Sequence, residues 1–379
     1  MSVEIIPVES SRDLRRFVGL PWKIYNPEEH PQWVPPLRIA VRDALDTAGN
    51  PFYKEADRRL FLARRNGVDI GRIAAIENRA HNAFHDDRVG FFGFFECVDD
   101  PNAARFLFAA AEAWLRSRGL DTMRGPMNPS TNHECGLLVG GYDRHPTIMT
   151  TWNPEYYPAL VESAGFVKAK DLLAFLFVMQ GDGAFTLPDR YQALADRALR
   201  GRALQFRDLR RADFDQEVAR CWEIYNSAWE RNWGFFPMSH ESFLHEARVI
   251  KHIGQEEFAF LAEVDGEPAG FAIVLPDYHH IFRTIGTGRL LPTGVFRILG
   301  ARSRLRTYRI MILGAKAEFR SRGLYALFVT EMARRGWACG AVSFEASWIL
   351  EDNDKLNRPL AALGARESRR WRIYDRTIA

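Results

Sequence analysis

Glu318-Phe319-Arg320-Ser321-Arg322-Gly323-Leu324 is the run in this chain whose residue types could hold a phosphate. An apolar, strand-like stretch at 310–317 leads into it. A helical pattern with Leu324, Leu327, Phe328 and Met332 on one side leads out. Backbone N–H groups at a helix start have no partner within the helix, and the helix dipole adds partial positive charge there. Gly323 lets a ligand come close to the backbone without meeting a Cβ. Arg320 and Arg322 add two full charges. Together these groups suit a phosphate or a pyrophosphate. The same residues also fit a solvated basic helix start with a packing glycine, and a short motif alone does not separate the two.

A second run, His133-Glu134-Cys135, invites a metal or thiol-protease reading. It lacks the second histidine of a zinc helix, and Cys135 has no identifiable base. We expect instead a polar loop that holds an acceptor through Asn128, Asn132 and Glu134, with Tyr157 a further substrate contact. The alternative is that the amides cap neighbouring turns and the tyrosine packs. The four cysteines, Cys97, Cys135, Cys221 and Cys339, form no CxxC pair. No metal site and no secreted disulfide framework is therefore expected, and a reducing compartment is.

With 51 basic and 48 acidic residues the formal net charge is +3, so no polyanion-binding signature runs over the whole chain. No nucleic-acid partner is expected, since no RNA-binding motif accompanies the aromatic residues. The stretch 283–309 stands apart, with seven arginines and no acid. Leu290, Leu291, Val295, Phe296, Ile298 and Leu299 are interleaved with them. It reads as a peripheral membrane contact, a contact for an acyl chain or an acidic partner, or a solvated flap. No signal peptide is visible, and no apolar run reaches the ~20 residues that span a bilayer, so a cytoplasmic location is expected.

The elements that must position these residues come in two copies. Phe61-Leu62-Ala63 recurs as Phe260-Leu261-Ala262, an offset of 199 (260 − 61), and Gly67 and Gly71 recur as Gly266 and Gly270. Asn153 and Leu160 answer to Asn353 and Leu360, and each of those stretches ends at a glycine, Gly165 or Gly364. Asn66-Gly67 and Asp265-Gly266 mark hairpins. A strand at 89–98 and a helix at 102–118 come after the first, with Asp99 or Asp100 as cap and Pro101 in the first turn. We therefore expect an α/β fold of two mixed, mostly antiparallel sheets flanked by helices. The expected domains are 1–180 and 204–379, with a linker or helix at 181–203. The first copy carries Asp99-Asp100-Pro101 where the second carries the basic turn, so an anion is expected on the second only.

Residues 204–379 resemble the GNAT superfamily of acyl-CoA N-acyltransferases. Its Arg/Gln-x-x-Gly-x-Gly/Ala turn is matched by Arg320 and Gly323, with Tyr325 at the final small position. Trp348 to Asn353, the 356–364 helix and Arg372-Ile373-Tyr374 are similar to the family's later strand–helix–strand. In the first half, the run from Gly125-Pro126-Met127-Asn128 to Gly136, with Asn153-Pro154-Glu155-Tyr156-Tyr157, resembles bacterial tandem-GNAT proteins.

The resemblance implies two GNAT-like domains. It implies acetyl-CoA or another acyl-CoA bound by Arg320, Ser321, Arg322, Gly323, Leu324, Tyr325 and Asn353, with pantetheine along Leu313, Gly314 and Ala315. The acceptor would be a small-molecule or peptide amine, and its proton would go to Glu345, Glu318 or Glu351. The tyrosine with which the family often protonates the leaving thiolate is Leu360 here, and Val161 in the first copy. Two other readings of the chain are a metabolite-binding or sensing protein without turnover and an aminoacyl-tRNA-dependent transferase. The near-neutral charge argues against the last.

Overall fold

A computed structural model describes residues 2–179, 201–319 and 322–378, with a few positions between 189 and 197. Arg320, Ser321 and most of the linker expected at 181–203 lie outside the described residues. The chain divides into two compact units. The first is Met1–Leu172 with His279–Ala301 and Arg369–Ala379, and the second is Leu173–Tyr278 with Arg302–Ser368.

The first unit is built on β1 (Glu4–Pro7), β2 (Ala56–Arg65), β3 (Val68–Asn78), β4 (Val89–Cys97) and β5 (Thr122–Gly125). β1 to β4 pair antiparallel in chain order, whereas β5 runs parallel to β4. The helix Pro101–Ser117 makes that parallel return possible, because such a connection needs a crossover. Its apolar side buries Ala104, Leu107, Phe108 and Leu115 among Phe92, Phe95 and Met123 of the strands. Beyond β5 come the short strands β6 (Met127–Asn128), β7 (Glu134–Cys135) and β8 (Leu137–Gly140), then the helix Tyr157–Ser163. The last strand of the chain pairs antiparallel with β5 and β8 through residues 370–377.

The second unit repeats the plan. It contains residues 173–178 of β9 (Val167–Val178), then β10 (Leu204–Asp208), β11 (Ala259–Val264), β12 (Glu267–Pro276), β13 (Thr307–Ala315) and β14 (Ser343–Leu350). β10 to β13 are antiparallel in order, and β14 is parallel to β13 after the helix Arg322–Cys339. Phe258, Phe260, Tyr308, Phe328 and Phe344 fill its core. Residues 366–368 open the final strand, β15 (Arg366–Thr377).

The repeat is visible in backbone detail. Asn66 and Gly67 have φ of 50° and 78°, and Asp265 and Gly266 have 53° and 85°. Positive φ at both turn residues is the signature of the hairpin turn whose twist matches the strands. The β2–β3 register breaks after Ala63, and the β11–β12 register breaks after Ala262, the same place in each copy.

Candidate functional site

In the second unit β13 and β14 are parallel neighbours from Thr307↔Ser343 to Ile310↔Ala346, and there the pairing ends. β13 is registered with β12 on both sides of Met311, from Tyr308↔Pro276 to Ala315↔Gly270, with a register shift between Ile273 and Val274. The two parallel strands thus part after Ile310 and Ala346. The chain leaves β13 through a short turn, Ala317–Phe319, and enters the helix Arg322–Cys339. Its first N–H groups therefore lie at the end of the strand that has parted, in the position that favours an anion. Gly323 and Leu324 are buried and Tyr325 is half-buried.

Glu345 sits one residue before the last parallel pair, with its side chain buried at 1% exposure. Its register partner is Arg309, itself 3% exposed. The Ser347 hydroxyl donates to Glu345 Oε1 at 3.2 Å, and the Ser368 hydroxyl lies 3.5 Å from Oε2. Arg309 donates from Nε to the Ser347 hydroxyl at 3.0 Å and from Nη2 to the Ser347 carbonyl at 3.1 Å. Its guanidinium also lies 4.8 Å from the centre of the Trp348 ring. A buried carboxylate is tolerated only when hydrogen-bonded and charge-compensated, and these groups supply that environment. Of the three carboxylates expected to take a proton, Glu345 is the buried one. Glu318 is exposed in the turn after β13, and Glu351 is half-buried in the turn after β14. Arg309, Ser347 and Ser368 escaped the sequence reading. An arginine directly before the apolar run Ile310–Leu313 was the available signal, because a cation buried there needs polar partners.

The first unit shows the same parting filled by its own chain. β4 and β5 pair from Val89↔Thr122 to Phe91↔Arg124 and then separate. Beyond that point Asn128 of β6 accepts the Phe94 N–H at 2.6 Å. A Cβ on Gly93 would stand 1.7 Å from the Met127 carbonyl oxygen, so β6 lies directly against β4. The Tyr157 hydroxyl accepts the Cys97 N–H at 3.0 Å and donates to Glu96 at 2.8 Å. Tyr25 also donates to Glu96, and Arg72 donates to it at 3.4 Å. Burial pushes the Glu96 carboxyl above the usual carboxylate range, opposed by Arg72 and the two tyrosines. At the helix start the Asp100 carboxylate accepts the Asn102 and Ala103 N–H groups, which satisfies donors an anion would need. The connection from Pro126 to Tyr156 supplies this filling. In the second unit the turn 351–353 stands in its place.

The other residues expected at the site fall in several places. Leu313 is half-buried, and Gly314 and Ala315 are buried on the parted stretch of β13. Asn353 caps the start of the helix Asp354–Ala362 without a side-chain hydrogen bond to it. Asn128 and Glu134 face each other across β6 and β7, and the Asn132 N–H bonds the Ser130 hydroxyl at 3.2 Å. Tyr157 is buried at 1% exposure inside the first unit's network. His133 Nδ1 shares a hydrogen bond with the Ser130 hydroxyl at 2.8 Å, and Cys135 is buried. Among the described residues no group of three or more His, Cys, Asp or Glu side chains could hold a metal ion. Among the same residues no helix is long and apolar enough to cross a membrane.

No family model matches the chain. The fold is nevertheless that of solved GNAT proteins. A tandem GNAT protein from the clavulanic acid biosynthesis pathway matches with a TM-score of 0.59 at 13% identity, covering 100% of this chain and 99% of that one. A GCN5-related N-acetyltransferase from Sphaerobacter thermophilus matches with a TM-score of 0.53 at 12% identity, over 99% and 96%. Two curated relatives are much nearer in sequence. Protein YghO of Escherichia coli (strain K12) is 32% identical over 97% of this chain and 94% of its own length. The bacterial ceramide synthase of Caulobacter vibrioides (strain NA1000 / CB15N) is 34% identical over 99% of this chain and 98% of its own. With that identity over nearly its whole length, the chain belongs to the family of the bacterial ceramide synthase and Protein YghO, carried on a tandem GNAT fold.

Proposed function

We propose that this protein transfers the acyl group of an acyl-CoA to the amine of a long-chain amino alcohol, with release of free coenzyme A. The observation that carries this reading is the parting of β13 from β14 above the buried Glu345 cluster, at the start of the helix Arg322–Cys339. The name of the Caulobacter relative guides the choice of acceptor, since a ceramide is the amide of such an amino alcohol. In the reading, the turn at Arg320 to Tyr325 takes the pyrophosphate and the backbone of Leu313, Gly314 and Ala315 takes the pantetheine. The neutral amine attacks the thioester carbonyl, so a C–N bond forms and the C–S bond breaks. The proton lost from nitrogen passes to Glu345 and on to solvent, and the departing thiolate takes one from solvent as coenzyme A leaves. Arg309 and Ser347 are positioning residues that hold Glu345 in place. The second unit performs this chemistry, and the compartment is the cytoplasm.

Thiol release from palmitoyl-CoA, monitored with a thiol-reactive dye, tests the reading. Sphinganine should support turnover, and short water-soluble amines should support far less. Glu345→Gln should lower kcat by roughly 10²–10⁴-fold, the usual contribution of a positioned proton acceptor. Thermal protection by coenzyme A without turnover on any amine would instead describe a binding protein. Absence of both would remove the site from the second unit.

A further inference from the structure

We infer that the segment His279–Ala301 of the first unit docks on an anionic lipid bilayer. Leu291, Phe296 and Leu299 are exposed at 75%, 72% and 63%, which is unusual for large apolar side chains. Phe296 and Leu299 are three residues apart in the helix Gly294–Ala301 and therefore share one face. Leu291 lies in the turn that leads into it.

This tip is not a loose loop. The Trp22 indole N–H donates to the Gly286 carbonyl at 2.6 Å, and the Arg38 backbone N–H donates to that of Gly288 at 2.9 Å. Arg38 Nε donates to the Thr287 carbonyl at 2.8 Å, and its guanidinium lies 3.8 Å over the Trp22 ring. Arg297 bonds back to the Thr284 carbonyl. The apolar side chains are thus presented from a braced support, which limits the ordering cost of docking.

Charge identifies the partner. Arg289 and Arg42 stand close enough to Arg38 that their repulsion adds to burial in lowering its pKa. Ile39, the residue after Arg38, is exposed at 62%. No acid occurs within His279–Ala301, which carries Arg283, Arg289 and Arg297. Exposed apolar side chains in a segment that carries arginines and no acid match a bilayer, whose acyl layer accepts the apolar groups while its headgroups meet the guanidinium groups. A second copy of this face would bring like charges together, so self-association is disfavoured.

Co-sedimentation with lipid vesicles tests the inference, and it needs neither acyl-CoA nor amine, so its outcome is separate from that of the proposed reaction. The full chain should pellet with vesicles of phosphatidylglycerol and phosphatidylcholine mixed in equal parts, at least about tenfold more than with phosphatidylcholine alone. Phe296→Asp with Leu299→Asp, and separately Arg42→Glu with Arg289→Glu, should each reduce binding by about tenfold or more while leaving the melting temperature unchanged. No pelleting with the anionic vesicles, or undiminished pelleting by both variants, would overturn the inference. So would a dimer in sedimentation equilibrium that Phe296→Asp disperses, because the face would then belong to a second copy.

Discussion

Glu345 and Glu96 are carboxylates in different surroundings, the first buried and the second half-buried. Glu345 meets Ser347, which Arg309 holds, next to the place where β13 and β14 part. Glu96 is enclosed by Tyr25, Tyr157 and Arg72, so its contacts are spent on packing the first unit. His81 offers a sharper test of burial at this scale. It is 1% exposed against Phe91 and His85, and burial, with smaller contributions from His85 and Arg124, pushes its pKa down to about 3. In the unfolded chain a histidine titrates near 6.5, so below that pH the unfolded state takes up a proton that the folded state refuses. Stability is therefore full above about 6.5 and is lost as pH falls toward 3, by at most about 1.4 kcal/mol per pH unit. Urea unfolding at pH 7, 6, 5 and 4 should show this loss, and His81→Gln should flatten it by one proton's worth. An unchanged slope in the variant would mean that His81 does charge in the fold.

At the scale of elements, the two units differ in the connection that leaves the crossover strand. After β5 comes the Pro126–Tyr156 connection, whose β6 segment lies against β4. After β14 comes a turn of three residues, 351–353. The close approach at Gly93 makes this arrangement testable, since even a methyl group there would meet the Met127 carbonyl. Gly93→Ala should destabilise the protein by roughly 2–3 kcal/mol, the cost of forcing packed backbone apart. Chemical denaturation reads it, and a change below about 0.5 kcal/mol would show that β6 is free to slide away from β4.

Over the whole molecule, the first unit draws on three separate stretches of chain, the last of them Arg369–Ala379. That stretch is not an appendage. Trp371, Ile373 and Tyr374 are buried at 0%, 1% and 0%. The Trp371 indole donates to the Thr151 carbonyl at 2.9 Å, and Arg372 bonds the buried Asp171 at 2.8 Å. Trp371→Ala should cost about 3–5 kcal/mol, as for other large buried aromatics, and should lower the melting temperature accordingly. A loss under about 1 kcal/mol would mean that the final strand contributes little to the first unit's core.

Local signals made much of this protein legible in its sequence. Asn66-Gly67 and Asp265-Gly266 announce their hairpins because their residue types tolerate positive φ. Asp100 and Pro101 announce a helix because they satisfy and pre-shape its first turn. Recurrence of such signals at a fixed offset was enough to read a duplicated α/β unit and its mixed sheets. Relations between distant residues were beyond that kind of reading. No periodicity reveals that Arg309 and Glu345 are neighbours, that Asn128 occupies the backbone of Phe94, or that Tyr157 closes on Glu96. Nor does it reveal that 279–301 and 369–379 join the first unit. Those facts arise from strand pairing and side-chain packing between segments far apart in the chain, and only the tertiary structure decides them.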